Sequence, residues 1–322
     1  MRLYENLSRE LNFNIMLSQR GLVTLAHSRH DLDSMAHWVN AMRMNGIDSE
    51  LLDAAAVSRL MPRLETGRRA RHAVLGGFVQ RRAGTARHDA VVWAYARAAS
   101  ALGVDIVQGC AVKGFLLADG GKSVRGVKTT HGNIVADRVA ICVAGASSEL
   151  ATMAGVRLPV TSCALQAMVS EPVKPVLDVA VLSPALGVYL SQTDKGEIVI
   201  GGGLDRFNSY AQRGSFATTQ EVVAGALDLF PSFGRLRLMR QWAGTVDLVH
   251  DSSPILGALP VRNLYINCGW GTGGFKAIPV GGWAMAHVLA TGRNHELAEP
   301  FGLARFTTGR LIDEAAAVGI AH

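Results

Sequence analysis

Residues 268–276, CGWGTGGFK, set Gly269, Gly271 and Gly274 in the order G-x-G-x-x-G and follow them with a lysine. Bare backbone at that spacing approaches a bound group closely, and the letters are those of a dinucleotide-binding turn. Such a turn also needs a strand before it, a helix directly after it, and a second strand with an acidic residue closing a βαβ unit of roughly 30 residues. The apolar run NLYINCG supplies the first strand. Pro279 and Gly281-Gly282 are expected to delay the helix to residue 280 or so, and RNHELAEPFGLARF beyond Gly292 has no β-branched run to complete the unit. A planar heterocycle suits the glycines better than a phosphate. Its edge meets backbone without Cβ atoms, and the positive end of the following helix stabilises an electron-rich carbonyl. A flavin ring fits that requirement.

Other chemistries find less support. The 10 histidines are densest at His27, His30 and His37, with no acidic or thiol ligand at a recognisable spacing, so no metal site is expected. The 4 cysteines, Cys110, Cys142, Cys163 and Cys268, form no C-x-x-C pair. Cys142 and Cys268 lie in apolar runs, which suits buried reduced thiols in the cytoplasm. The net charge is +6, and its one local cluster, GRRARH at 67–72, lacks interleaved aromatics. It reads as a solvated loop, and no nucleic-acid partner is expected. No apolar run reaches the 18 or so residues of a membrane span, and MRLYENLSRE lacks the core of a secretion signal. A cytoplasmic protein without a membrane partner is expected.

The elements that position these residues follow from periodicity. Residues 3–12 read as a helix, GLVTLAHS (21–28) as a strand, and LDSMAHWVNAMRMNG as an amphipathic helix capped by Asp31 and stopped at Gly46. LLDAAAVSRLMP is a short helix ending near Pro62. Helical spacing runs from Val91 to Leu102, Gly103 closes it, and VDIV (104–107) opens a strand. Three alternating runs separated by Asp119-Gly120-Gly121 and His131-Gly132-Asn133 make a meander. RVAICVAG, apolar on both faces, is expected to be buried on both sides in a parallel sheet, with a ligand-binding turn at Gly145-Ala146-Ser147. From 161 to 243 the texture is antiparallel strand, with one helix near 218–230. With 322 residues, two domains are expected. The fold class is α/β (α+β).

Five segments in order, LQAMVSEPVKPV, SQTDKGEIVIGGGLDRFNSYAQRGS, RQWAGTVD, NCGWGTGGFK and the tail RFTTGRLIDEAAAVGIAH, resemble the beta subunits of heterotetrameric sarcosine oxidases, within the glycine oxidase and D-amino-acid oxidase superfamily. The likeness runs from about residue 3 to the end. It implies a D-amino-acid-oxidase-like two-domain flavoprotein, with an FAD-binding Rossmann-like domain and an antiparallel substrate domain. Residues 1–87 are assigned to the substrate or cap side, 88–160 to the FAD domain, 161–243 to the substrate domain and 244–322 to the FAD domain again. The implied activity is FAD-dependent oxidation of sarcosine to glycine, with electrons passing to FMN and alpha, gamma and delta subunits as partners. The imine is released as formaldehyde or captured by tetrahydrofolate on the alpha subunit.

By that resemblance Gly271, Thr272, Gly273, Gly274, Phe275 and Lys276 line the flavin, Gly145 and Ala146 lie near FAD, and the backbone of Val112 contacts adenine. Lys276 holds the substrate carboxylate or stands over the ring, which its charge also favours chemically; the plain alternative is a solvent-facing lysine. His88, in RRAGTARHDAVVWA, carries FMN covalently, an addition that needs a neutral imidazole nucleophile with Arg87 nearby. Its plain alternative is the opening turn of a helix, with Asp89 favourable there. Tyr189 in GVYLSQ matches the superfamily's active-site tyrosine, or is a core or rim residue.

The chain departs from the family at its start. Nothing in residues 1–87 resembles a strand followed by G-x-G-x-x-G, so the N-terminal FAD-binding βαβ unit and the arginine-bearing segment after it have no counterpart. The chain alone is expected to bind FAD weakly. His250 also stands where the family usually has proline. Two other readings remain open at this point: a flavin-poor assembly subunit without activity, and an oxidoreductase of another small amino acid such as glycine or proline.

Overall fold

A computed structural model describes residues 1–67, 70–205 and 207–312. Arg68 and Arg69 of the basic cluster, and the tail from 313 onward, lie outside them. In the first third, helices alternate with short strands: α1 (Arg2–Glu10), β1 (Leu22–Ala26), α2 (Arg29–Met44), β2 (Glu50–Asp53), α3 (Ala54–Leu60) and β3 (Gly76–Gln80). Next come α4 (His88–Ala101), β4 (Val112–Ala118), β5 (Ser123–Thr129), β6 (Gly132–Val135), β7 (Val139–Ile141) and α5 (Ser147–Met153). Then follow β8 (Val160–Pro172), β9 (Ala180–Ser183), β10 (Val188–Gln192), β11 (Glu197–Leu204), α6 (Phe216–Leu229) and β12 (Leu238–Val249). The last elements are β13 (Ile255–Ala258), β14 (Leu264–Cys268), α7 (Gly274–Thr291) and α8 (Arg305–Thr308).

Eight strands form one sheet in the order β12-β8-β11-β10-β9-β1-β3-β2, antiparallel except for the parallel β1–β9 pair. One face is closed. Val23, Leu25, Met168, Val181, Val188, Leu190, Ile198 and Ile200 pack there against Val57 of α3 and Val222, Ala226 and Leu229 of α6. On the opposite face α2 covers the β1–β3 end, where Met35 and Val39 meet Ala26 and Phe78. Strands β8 to β11 remain open on that side. Strand alternation therefore sends Tyr189, between the buried Val188 and Leu190, to the open face.

A second unit contains the meander β4-β5-β6 and the sheet β13-β14-β7, in which β7 runs parallel to β14. Its core joins Phe115, Val124, Ile141 and Ala151 with Val249, Ile255, Leu264 and Ile266.

Several local expectations change. The cap of α2 is Ser28, whose hydroxyl accepts from the Asp31 N–H, while Asp31 accepts from the Ser28 N–H, a reciprocal capping box. VDIV forms no strand, and Val104, Ile106 and Val107 are exposed because no described strand lies beside them. β7 is an edge strand paired with β14, so Cys142 and Val143 past its end are exposed rather than buried.

The largest difference is α7, which begins at Gly274 and contains Pro279 instead of waiting for it. Proline removes the N–H that would have bonded to the Phe275 carbonyl one turn back. The Tyr4 hydroxyl of α1 donates to that carbonyl instead. The bond costs Tyr4 its solvent contact: burial pushes its pKa up to about 12, so it stays a neutral donor.

Candidate functional site

A cavity of about 1480 Å³ separates the open face of the large sheet from the turn after β14. Leu165, Leu182 and Tyr189 line it from the sheet, Thr272 and Lys276 from the turn and the first turn of α7, and His250 from the end of β12. The cavity therefore brings together three residues that the sequence singled out: Tyr189, Thr272 and Lys276. Burial pushes the Tyr189 hydroxyl above its ordinary pKa, which keeps it a neutral donor. Partial desolvation by the cavity walls pulls Lys276 below its ordinary value, and among the described residues no carboxylate pairs with it. Lys276 is exposed to the cavity, and an unpaired cation on the wall of a cleft is placed to receive an anion.

The glycine-rich turn explains its own letters. Asp247, near the end of β12, is 3% exposed, and its carboxylate accepts from the Gly269 N–H at 2.5 Å. The backbone of Trp270 and Gly271 also acts to lower its pKa. These are the amides that a phosphate cradle would turn toward its ligand. Here the protein's own carboxylate fills the nest. Burial raises the Asp247 pKa and the amides oppose that rise. Gly269 and Gly271 have φ of 75° and 52°, the left-handed region that favours glycine. Gly281 is needed for a different reason, since a Cβ there would lie 3.0 Å from the Trp270 ring. That ring is held by its Nε1 donating to Asn267 Oδ1 at 2.6 Å. The turn is thus no phosphate cradle. After α7 the chain forms a 3-10 turn over Glu296–Phe301 and then α8, so among the described residues no strand completes a βαβ unit.

β12 also holds the second strand-end turn. Gly145 lies in the 3-10 turn Ala144–Ala146 after β7, and a Cβ on it would lie 2.5 Å from Thr245 Cγ2. Its carbonyl accepts from Ser162 Oγ at 2.6 Å. Thr245 and Asp247, two residues apart on one strand face, therefore seat the turn containing Gly145 and Ala146 and the turn leading to Gly271–Lys276. Sequence reading did not single out either residue. An acid and a hydroxyl at i and i+2, closing a strand that precedes two glycine turns, would have been the signal.

The remaining candidates do not line the cavity. His88 is the exposed first residue of α4, and Arg87 beside it is held by Asp89 through bonds of 3.0 and 3.1 Å. Val112 opens β4, paired with Thr129. Yet α4 is tied to α7 through α1, because Tyr4 packs with Val91 and Ala94 while its hydroxyl reaches Phe275. His250 lies at the cavity wall with its ring 5.1 Å from Phe306. Next to it, Asp251 and Arg305 form an ion pair with both side chains 3% exposed, which sequence reading also missed.

Comparison with known proteins agrees with this geometry. The profile of the family described as FAD dependent oxidoreductase matches residues 1–288. The chain is 49% identical over 320 residues to sarcosine oxidase subunit beta of Rhodobacter capsulatus, covering 99% of this chain and 76% of that protein. It is 47% identical over 322 residues to sarcosine oxidase subunit beta of an Arthrobacter species, covering 100% and 79%. Among solved structures, L-proline dehydrogenase from P. horikoshii superposes with a TM-score of 0.87 at 24% identity, over 97% of this chain and 82% of that one. Glycine oxidase from Geobacillus kaustophilus gives 0.83 at 22%, over 94% and 80%. These two likenesses establish the fold, which is that of the D-amino-acid-oxidase class. The match of the family profile across most of the chain, together with relatives near half identity over its whole length, places this protein in the family of FAD-dependent oxidoreductases.

Proposed function

We propose that the chain oxidises sarcosine to glycine as the beta subunit of a heterotetrameric sarcosine oxidase. The observation that carries this reading is Lys276, a cation with no ion-pair partner among the described residues, on the wall of the same cavity as Tyr189. An amino-acid carboxylate satisfies that charge. The identity of nearly one residue in two to sarcosine oxidase beta subunits supports sarcosine as the amino acid.

The residues fit a flavin ring. α7 has Gly273 as its N-cap and no side-chain cap, which leaves first-turn amides to a ligand carbonyl, and Ser148 Oγ at the start of α5 is buried with no partner among the described residues. When bound, FAD supplies the two-electron acceptor for hydride from the N-methyl carbon. The protein's part is placement. Lys276 would hold the carboxylate end, the neutral Tyr189 hydroxyl would donate to the substrate, and Gly271, Thr272, Gly273, Gly274 and Phe275, with Gly145 and Ala146, would line the flavin. Val112 is assigned to adenine. The iminium product takes up water and leaves formaldehyde and glycine, or passes its one-carbon unit to tetrahydrofolate on an alpha subunit.

Residues 1–87 and 161–243 are read as the substrate side, and 88–160 and 244–322 as the FAD side. That division is supported by the shared eight-stranded sheet and by the separate core around Ile141 and Ile266. His88 is assigned as the covalent attachment point of FMN, and its exposure leaves the imidazole open to a neighbouring subunit. Gamma and delta subunits complete the assembly, which we place in the cytoplasm. Among the described residues no helix is long and apolar enough to cross a membrane. Steady-state assays of the coexpressed complex on sarcosine, proline and glycine test the substrate. kcat/KM is expected to be highest for sarcosine, and a preference for proline or glycine overturns the assignment.

A further inference from the structure

Cross-strand pairing aligns Leu182, Tyr189, Gly201, Ala167 and Trp242 in one row across β9, β10, β11, β8 and β12, on the open face of the sheet. Two aromatic residues thus flank two small ones. A Cβ built on Gly201 would fall 2.5 Å from Tyr189 Cε1 and closer still to Cζ and Oη. The phenol end of Tyr189 therefore lies flat over the bare Cα of its partner on β11. Backbone conformation does not require this glycine. Gly202 and Gly203, its neighbours, have φ of 139° and 68°, whereas Gly201 has no positive φ. What needs the missing side chain at 201 is the ring.

We propose that Gly201 is a specificity-determining residue: without a Cβ it lets Tyr189 lie along the sheet, and so sets the depth of the cavity floor opposite Lys276 and the size of the amine admitted there. A single methyl at 201 forces the ring up off the strand and into the cavity. The inference rests on the amine occupying this cavity, and its test separates the two.

Wild type, Gly201→Ala, Tyr189→Ala and the double variant are compared as flavin-loaded complex, by thermal melting and by kcat/KM for N-methylglycine and N-ethylglycine. Gly201→Ala is expected to lower the melting temperature by a few degrees when Tyr189 is present and to leave it unchanged when residue 189 is alanine. It is expected to cut the ratio of N-ethylglycine to N-methylglycine kcat/KM by roughly 10-fold, the usual worth of one methylene in a tight pocket. In the Tyr189→Ala background the ratio should shift by no more than about 2-fold, as expected for a residue acting through its neighbour. Equal melting shifts in both backgrounds overturn the placement of the ring, and a coupled melting shift with an unchanged ratio overturns the specificity role. If the wild-type complex oxidises neither amine, the functional reading fails and the specificity role falls with it. The melting cycle then still decides by itself whether the ring rests on Gly201.

Discussion

Asp247 and Asp251 lie four residues apart where β12 runs out, and both carboxylates are buried, yet their charges are met in different ways. Asp251 faces Arg305, whose Nε and Nη2 donate to it at 2.7 and 2.9 Å. The same guanidinium donates to the carbonyls of Ser253, Phe301 and Gly302 and lies 4.1 Å above the Phe306 ring. Burial works to raise the Asp251 pKa, but the hydrogen bonds and charge of Arg305 outweigh it and hold the group below its ordinary value. Asp247 has backbone amides instead, burial dominates, and its pKa is raised. One aspartate fastens the segment around α8 to the second unit. The other shapes a turn beside the cavity using dipoles alone, which adds no side-chain cation to compete with Lys276 for an incoming carboxylate.

Substitutions at the two aspartates should therefore separate stability from function. Arg305→Ala leaves Asp251 buried and unpaired, and is expected to cost ~3–5 kcal/mol in urea unfolding, with little effect on KM in the protein that remains folded. Asp247→Ala strands the amides of the glycine-rich turn, for about 1–3 kcal/mol. Unlike the first variant, it should also weaken flavin retention in gel filtration, because the turn is the part it releases. If the two variants lost flavin equally at matched stability, the contrast between the aspartates would be gone.

Tyr4→Phe is next in size. It leaves the Phe275 carbonyl without its donor at the start of α7, worth about 1 kcal/mol in thermal or urea melts. Lys276→Met has the opposite sign. The Lys276 pKa is held below 10.5 in the folded protein, so charging it costs stability in full below the folded-state value, and that cost fades as pH rises toward 10.5. The variant is expected to melt slightly higher than wild type at neutral pH and equally at strongly alkaline pH. Over the same rise the wild-type KM for sarcosine should increase, as the cation that holds the carboxylate is lost.

Much of this was legible from spacing. The alternation of GVYLSQ put Tyr189 on a strand face opposite Val188 and Leu190, the runs between Asp119 and Asn133 marked the meander, and VVWAYARAASA announced α4. What escaped depends on residues distant in sequence. Pro279 reads as a helix breaker until Tyr4, 271 positions from Phe275, takes over the orphaned carbonyl. VDIV reads as a strand because β-branched residues favour one, yet no described strand pairs with it. The glycines of CGWGTGGF lack the Cβ atoms that would crowd a ring, but Gly269 and Gly271 also carry left-handed backbone, and the Gly269 amide turns inward to Asp247, a residue 22 positions earlier. A buried acid filling an amide nest leaves no local pattern in the letters.

The most direct test mixes the flavin-loaded complex anaerobically with sarcosine and, separately, with dimethylamine, which has the same N-methyl group and no carboxylate. Wild type should bleach the oxidised flavin band rapidly with sarcosine and barely with dimethylamine, and Lys276→Met should lose that discrimination. Equal bleaching by both amines in wild type, or none with sarcosine, would contradict a cavity built to receive an amino-acid carboxylate at Lys276.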